Sequence, residues 1–394
     1  MIKVLTLTSL FPNSVQPTHG VFVRQRLQHL VGAHDVAIRV VAPVPWYPPF
    51  VPGPARYTQY RGAPDLETIG PFTVSHPRYV VLPKVGMSAA PALMVTSILP
   101  FVRRLVASER FDLIDSHYFY PDGVAAAWIA ARVGLPLVIT ARGTDINLIP
   151  KYSVPRRQIL WAAAKAAAII TVCDALRDEM IGMGVAAAKI TTLRNGYDPS
   201  AFHPVDRDAA RRALGFSGTT LLSVGHLIER KGHHIVLEAL AGLPDFNLVI
   251  AGSGEMEAEL RARARRLSLD GRIRFEGTVE QAKLKQYYSA ADALVLASSR
   301  EGMANVLIEA IACGCPVVAT SFWGTPEVVR SRQAGVLVDE RTPAGIADGI
   351  RRLFADLPER SATLRYSEQF RWEPTSRGQL AIFEAIKRAA PRRA

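Results

Sequence analysis

Two glutamates stand eight positions apart in EGMANVLIEAIACG, residues 301 to 314, and their surroundings set them different tasks. Glu309 is the one charged residue in the otherwise apolar run from Val306 to Cys313, so a helix through this stretch turns its carboxylate toward hydrocarbon. A buried, unpaired carboxylate costs several kcal/mol, and Glu309 must therefore be protonated or meet a donor. That donor can be a ligand hydroxyl or a neighbouring loop of the protein. Glu301 sits in a turn before Gly302, and the backbone N–H groups of Met303, Ala304, Asn305 and Val306 then open a helix, an arrangement suited to an anion. Glu309 lies roughly 7.5 Å further along that helix at the usual rise per residue. A nucleoside diphosphate fits this spacing, with the diphosphate on the helix start, the ribose at Glu309 and the group beyond the phosphates at Glu301.

A second cluster, SVGHLIERKG, closes a strand at Gly225 and presents His226, Arg230 and Lys231 before Gly232 opens the next helix. Glycine lets backbone approach an anion and the cations neutralise it; a solvated basic loop is the alternative. The D-x-D at Asp206 and Asp208 follows Pro204 at a helix start and reads as a cap, so no metal site is expected. Cys173, Cys313 and Cys315 lie in apolar segments and lack the second ligand pair of a zinc site, which implies packing and a reducing compartment.

Short β-rich runs alternating with helical patterns must position these groups. In the first half the expected strands are 3–9, 35–43, 112–117, 137–140, 167–172 and 189–194. In the second half they are 219–225, 247–252, 272–277, 293–298, 316–320 and 335–338, with striped helices such as 254–268 and 343–355 between them. This is the α/β pattern of two doubly wound parallel sheets in series, joined near NGYDPSAFHP (195–204). In such sheets ligands bind outside the carboxyl ends of strands, where both clusters fall. The six prolines of APVPWYPPFVPGP (42–54) exclude regular structure and predict a protruding loop. Residues 88–107 combine an apolar body with a basic end, suiting a lipid surface, a mobile acceptor wall or an ordinary core-facing helix.

At 394 residues the chain suits two domains; 49% hydrophobic and 21% charged residues fit a folded globular protein. The amino terminus, MIKVLTLTSLFPN, alternates like a strand and shows no leader pattern, and the longest apolar run, PALMVTSILPFV, stops short of Arg103 and Arg104. The net charge of +12 is uneven, with 20 Lys/Arg against 12 Asp/Glu in residues 1–200. A basic first half suits a phosphorylated substrate or an anionic membrane; scattered cations without aromatic interleaving do not suit nucleic acid.

The two glutamates with their context resemble the E-x7-E motif of retaining GT-B glycosyltransferases, family 4. The resemblance runs through NGYDPSAFHP, VGHLIERKG, LVIAGSGEMEAEL, FEGTV, YYSAADALVLASSREGMANVLIEAIACGCPVVAT and GTPEVV, densely over about 190–340. In the first half, SLFPN, GVFVRQRL (from Gly20), DSHYFYPDG (with His117) and ARGTDIN are similar to a subgroup that builds bacterial cell-surface polysaccharides. The resemblance implies a GT-B fold, two Rossmann-like domains facing across a cleft. An acceptor domain would span 1–195, a donor domain 196–374, and a last helix, about 375–390, would pack back on the first.

The implied activity is transfer of a sugar from a nucleoside-diphosphate sugar to an acceptor hydroxyl with retention, without metal or cofactor. Glu309 would bind the ribose, Glu301 the sugar or diphosphate, and Lys231 the diphosphate, while backbone near Gly277 and Thr278 would touch the base. Two positions depart from the family: His226 stands where an Arg is usual, with Arg230 next door, and Arg142 stands where His is common. Arg142 and Asp145, with Gly20 and His117, are the candidates on the acceptor or sugar side, a helix cap being the other reading of Asp145. The implied partners are a glycan or lipid-linked acceptor and an anionic membrane surface, with no nucleic acid, and the implied location is the cytoplasm or the inner membrane face. Two rival readings stand beside this one. A non-catalytic nucleotide-binding scaffold would keep the fold; an NAD-dependent oxidoreductase would use AGSGEMEAEL, where Glu257 replaces the third glycine and the motif follows the second strand of its domain.

Overall fold

The computed structural model describes residues 1–46, 59–81 and 86–389. The chain divides into two compact units: Met1–Asn195 together with Trp372–Ala394, and Gly196–Arg371.

Unit 1 is built on an eight-stranded sheet. Its strands are β1 (Ile2–Leu7), β2 (Val36–Val41), β4 (Leu66–Ile69), β5 (Phe72–Ser75), β7 (Leu113–His117), β8 (Leu137–Ala141), β9 (Ala168–Thr171) and β10 (Ile190–Thr192), while β3 (Val44–Trp46) and β6 (Arg78–Val80) form a separate pair. The order is β10-β9-β8-β7-β1-β2-β5-β4, parallel except for the β4–β5 hairpin. The order in which successive strands join the sheet reverses between β1 and β7, making their carboxyl ends the switch point where such sheets hold ligands. Thr8 and His117 meet there, the Thr8 hydroxyl donating to the His117 carbonyl at 3.0 Å.

Unit 2 carries β11 (Thr219–Val224), β12 (Phe246–Ala251), β13 (Ile273–Gly277), β14 (Ala293–Leu296), β15 (Val317–Thr320) and β16 (Gly335–Val338), all parallel, in the order β13-β12-β11-β14-β15-β16. The switch point falls between β11 and β14. Near-continuous apolar strands are what burial on both faces requires. Leu221, Leu248, Val295 and Val318 are fully buried against Ile235, Leu240, Ile346 and Ile350 of the flanking helices, each worth roughly 1.5–3 kcal/mol relative to exposure.

All twelve expected strands exist, and both α/β units are doubly wound as the alternation predicts. Four strands escaped the sequence reading. β4 and β5 form a short hairpin turned at Gly70, with φ of +58°, too brief to show periodicity. β3 corrects the expectation that 42–54 holds no regular structure: Val44–Trp46 pairs with β6, and Pro45 is tolerated because a two-stranded ladder leaves one edge unbonded. Residues 47–54 of that proline-rich stretch lie outside the described residues.

The apolar run 91–102 and the basic Arg103 and Arg104 that follow it lie on one helix, Ala90–Ser108, the segment with an apolar body and a basic end expected over 88–107. By length and a mean hydropathy of 1.4 it meets the requirement for crossing a membrane. Met94, Val95, Ile98, Val102 and Leu105 make a buried stripe, however, while Ala92, Thr96, Pro100, Arg103 and Arg104 are exposed, the pattern of a helix packed on a core. The last helix, Trp372–Ala389, belongs to unit 1, where Phe383 joins Ile2, Val4, Leu113 and Val138.

The return of this helix changes the charge distribution. Unit 1 holds 25 Lys/Arg against 13 Asp/Glu, and unit 2 holds 22 of each. The whole excess of +12 resides on unit 1.

Candidate active site

In unit 2 the site begins where β11 ends. Gly225 takes a φ of +147°, and the chain passes through His226 to a short turn, Glu229–Lys231, that closes at Gly232. A Cβ on Gly232 would lie 2.1 Å from the Ala297 carbonyl oxygen, so only glycine lets this loop rest on the end of β14. The Ser299 N–H donates to the Arg230 carbonyl at 2.9 Å, locking the two loops together. Glu301 is thereby delivered to the cations. Its Oε1 accepts from Lys231 Nζ at 2.7 Å, Arg230 Nη1 at 3.0 Å and Ser298 Oγ at 2.8 Å. Burial pushes its pKa up, but Lys231, Arg230 and these hydrogen bonds outweigh burial and hold the carboxyl below its ordinary value, so it is ionised at neutral pH.

The helix Asn305–Ala312 opens on Ala304 without a side-chain cap, with Met303 and Ala304 buried beside it. Glu309 is 8% exposed on this helix, and burial raises its pKa from 4.5 to about 7, opposed by a hydrogen bond from the Tyr288 hydroxyl at 2.9 Å. The protein thus supplies one donor, to Oε2; Oε1 accepts no hydrogen bond among the described residues. Glu309 is neither a fully satisfied structural acid nor a sealed orphan, since Oε1 is not among the fully enclosed unpartnered atoms.

Gly277 ends β13 with a φ of +67°, and its carbonyl accepts from the Gly252 N–H at 2.7 Å. Thr278 and Ser253 share a hydroxyl contact of 2.8 Å, and the Leu227 N–H donates to the Ser253 carbonyl at 2.9 Å. The carboxyl ends of β11, β12 and β13 are therefore stitched together around His226. Burial, then Lys231 and Arg230, lower the His226 pKa, so its ring is neutral at physiological pH and the positive charge comes from its two neighbours. Asp206 caps the helix Arg207–Leu214 by accepting from the Ala209 N–H at 2.9 Å, the capping role expected of the D-x-D.

In unit 1, Gly20 has a φ of +66° and packs so close to the Leu10–Phe11 backbone that a Cβ would sit 2.3 Å from the Leu10 carbonyl. It starts the helix Val21–Ala33 without a side-chain cap. Arg142 follows β8, its guanidinium over the Phe22 ring at 5.4 Å, with Nη2 at 2.7 Å from His117 Nδ1 and Nη1 donating to Asn195 Oδ1 at 3.1 Å. Asp145 requires a correction. It is fully buried, and its carboxylate accepts from the backbone N–H groups of Phe119, Gly143 and Arg142 at 2.7, 2.6 and 3.1 Å. Gly143, not Asp145, occupies the cap of the short helix Thr144–Asn147. Asp145 therefore shapes the loop carrying Arg142 and has no oxygen left for a sugar or acceptor. His117 is also fully buried, beneath Arg142.

Sequence reasoning missed Tyr288, Ser298, Asp115 and Gln379. Ser298 precedes Glu301 by three residues, and Asp115 precedes His117 by two on the same face of β7, so both were within reach of a local reading; Tyr288 and Gln379 contact the site from distant elements and leave no spacing signal.

The fold is shared with Anabaena HepE in complex with UDP-glucose, at a TM-score of 0.72 and 20% identity over 98% of this chain and 100% of that one. The architecture, two Rossmann-like α/β units with loop clusters at strand carboxyl ends, is that of the GT-B glycosyltransferases. The pattern described as Glycosyl transferases group 1 matches residues 206–370, and that of Glycosyltransferase Family 4 matches residues 20–201. A D-inositol 3-phosphate glycosyltransferase of Jonesia denitrificans is 32% identical over 71% of this chain and 73% of its own length. The putative teichuronic acid biosynthesis glycosyltransferase TuaC of Bacillus subtilis is 27% identical over 89% of both chains. The chain belongs to family 4 of the glycosyltransferases.

Proposed function

We propose that this glycosyltransferase moves a hexose from a nucleoside-diphosphate sugar, with UDP as the carrier, to a hydroxyl of an anionic glycan or lipid-linked acceptor, with retention and without a metal. The observation that carries the donor reading is the pairing of an ionised Glu301, held by Lys231 and Arg230, with a half-satisfied Glu309 on the helix that follows. Breaking the sugar–phosphate bond builds negative charge on the departing diphosphate, and fixed cations with a helix start lower that barrier. Lys231, Arg230 and the N–H groups before Val306 are the groups for this task. Glu301 keeps the two cations in place before the donor arrives and then meets the sugar, while Glu309 accepts from the ribose hydroxyls. The departing phosphate oxygen takes the acceptor proton on the same face, so no protein nucleophile is required. UDP is chosen because HepE is described with UDP-glucose.

The anionic acceptor rests on the confinement of all excess charge to unit 1, and on relatives named for teichuronic acid and D-inositol 3-phosphate, both acids. Its delivery from an anionic inner membrane face draws support from one surface. Tyr152 and Val154 are 53% and 37% exposed at the start of the helix Ser153–Lys165, among the exposed cations Lys151, Arg156 and Arg157. Met87 lies beside them, tied to this helix through Tyr120 and Gln158. Apolar anchors ringed by cations suit an anionic bilayer.

A thermal-shift screen against UDP-, GDP- and ADP-sugars tests the donor assignment, followed by product analysis of the anomeric configuration in the presence of EDTA. Stabilisation by none of them would remove the donor reading; stabilisation without hydrolysis or transfer would favour the scaffold.

A further inference from the structure

Beneath Arg142 lies a buried polar chain that the donor chemistry does not use. His117 Nε2 is 3.1 Å from Asp115 Oδ2, and that oxygen also accepts from Gln379 Nε2 at 3.1 Å. The Gln379 carbonyl oxygen accepts from Arg26 Nε at 2.7 Å, and Arg26 Nη1 donates to the Leu193 carbonyl at 3.1 Å. Asp115, His117, Gln379 and Arg26 are at most 1% exposed. Two buried guanidiniums with one carboxylate between them are costly: desolvation takes several kcal/mol per ion, and an apolar core of equal volume is often as stable or more so. Several atoms also lack a well-aligned hydrogen-bond partner, namely Arg26 Nη2, Asp115 Oδ1, Arg142 Nε and His117 Nε2, whose approach to Asp115 is an ion-pair distance rather than an aligned hydrogen bond. Stability alone gives no reason for this arrangement.

The donor and acceptor roles leave one solution. A guanidinium can only donate, so Arg142 Nη2 requires a bare lone pair on His117 Nδ1. The neutral ring then carries its proton on Nε2, the nitrogen that faces Asp115. Burial, only partly offset by Asp115, lowers the His117 pKa to about 4, which keeps the ring in that neutral form at physiological pH. Gln379 is fixed in turn, its carbonyl end by Arg26 and its amide end on Asp115.

We propose that Asp115 is a positioning residue for Arg142, acting through the Nε2–H tautomer of His117, and that Gln379 on the last helix keeps Asp115 aimed. Arg142 spends two of its five N–H donors on His117 and Asn195 and its Nε–H is enclosed, so this relay fixes the plane in which the two remaining Nη hydrogens are offered at the carboxyl end of β8. The functional part rests on the proposal above that unit 1 receives the acceptor.

Nitrogen NMR of the full-length protein labelled at histidine, with His117 assigned through His117→Gln, reads the tautomer directly. Protonation at Nε2 with bare Nδ1 is expected near pH 7; a proton on Nδ1 or a persistent imidazolium overturns the relay whatever the enzyme transfers. Kinetics read the consequence. Asp115→Ala should raise the acceptor KM or lower kcat roughly tenfold to a hundredfold, as a misaimed contact does, with donor KM within about twofold. His117→Gln, whose amide can accept from Arg142 and donate to Asp115, should retain most activity where His117→Leu does not. Should Asp115→Ala fail to fold by circular dichroism, Gln379→Leu takes its place with the same expected split. An equal rise in donor and acceptor KM, or equal loss in His117→Gln and His117→Leu, overturns the positioning role. Absence of transfer by the wild-type chain with every sugar nucleotide, alongside the Nε2–H tautomer, would sink the acceptor reading and leave the relay standing.

Discussion

Lys231 Nζ donates to Glu301 Oε1 across 2.7 Å, joining the loop after β11 to the loop after β14 at the switch point of unit 2. Seventy residues of chain separate the two partners. The pair is ready-made for an incoming diphosphate, because Glu301 holds the ammonium in place without consuming all of its donors.

Lys231→Ala is expected to lower kcat by roughly a hundredfold to a thousandfold, the scale of losing one fixed donor to developing charge, while donor affinity falls less. Single-turnover rates beside calorimetric donor binding separate the two. A loss of affinity as large as the loss of rate would place Lys231 in ground-state binding instead.

Glu309→Ala should weaken donor binding by about 1.5–3 kcal/mol, the value of hydrogen bonds to a charged group, and Tyr288→Phe should weaken it less. Calorimetric titration with UDP-sugar checks this. Donor affinity unchanged in Glu309→Ala would remove the ribose assignment.

Glu309 also couples stability to pH. Its pKa rises from 4.5 to about 7 on folding, so the folded chain holds a proton that the unfolded chain releases. The contribution is fully present below pH 4.5 and is lost as pH rises through 7, a change of up to about 3 kcal/mol. Glu309→Gln keeps the protonated shape and should therefore gain melting temperature over wild type at pH 8 but not at pH 5. Donor binding, which favours the ionised acid, should release protons near pH 6.5, measurable as a buffer-dependent heat. Equal melting shifts at both pH values would show that Glu309 does not titrate in this range.

Gly232→Ala should cost more than about 2 kcal/mol, because a Cβ there meets the Ala297 carbonyl oxygen at 2.1 Å in a backbone region that side chains avoid. Urea denaturation measures it. A cost below about 0.5 kcal/mol would mean that the loop after β11 repacks freely.

Vesicles with anionic lipid should sediment the protein at low salt, and reversing Lys151, Arg156 and Arg157 together should abolish this, each cation contributing about 1 kcal/mol near such a surface. Binding that is indifferent to lipid charge would remove the membrane surface from the proposal.

Strand and helix alternation, the carboxyl-end position of both motifs and the candidate roles of Glu301, Glu309 and Lys231 were legible in the chain because they are local: period-2 and period-3.6 patterns, glycines in turns and an acid among aliphatics all act within a few residues. The brief β4–β5 hairpin and β3 were not, since three or four residues carry too little periodicity to outweigh neighbouring prolines and turns. Other outcomes depended on which distant elements meet. Asp145 looked equally fit for a ligand or a cap until three backbone N–H groups converged on it. The protonation of Glu309 was decided by Tyr288 and by burial, and the tautomer of His117 by Arg142 and Asp115. The last helix brought Gln379 to Asp115 and placed the entire charge excess on one unit. Residue type and order determine which groups can ionise or donate; whether each does so depends on desolvation and on the partner across the fold, and both are properties of three-dimensional packing.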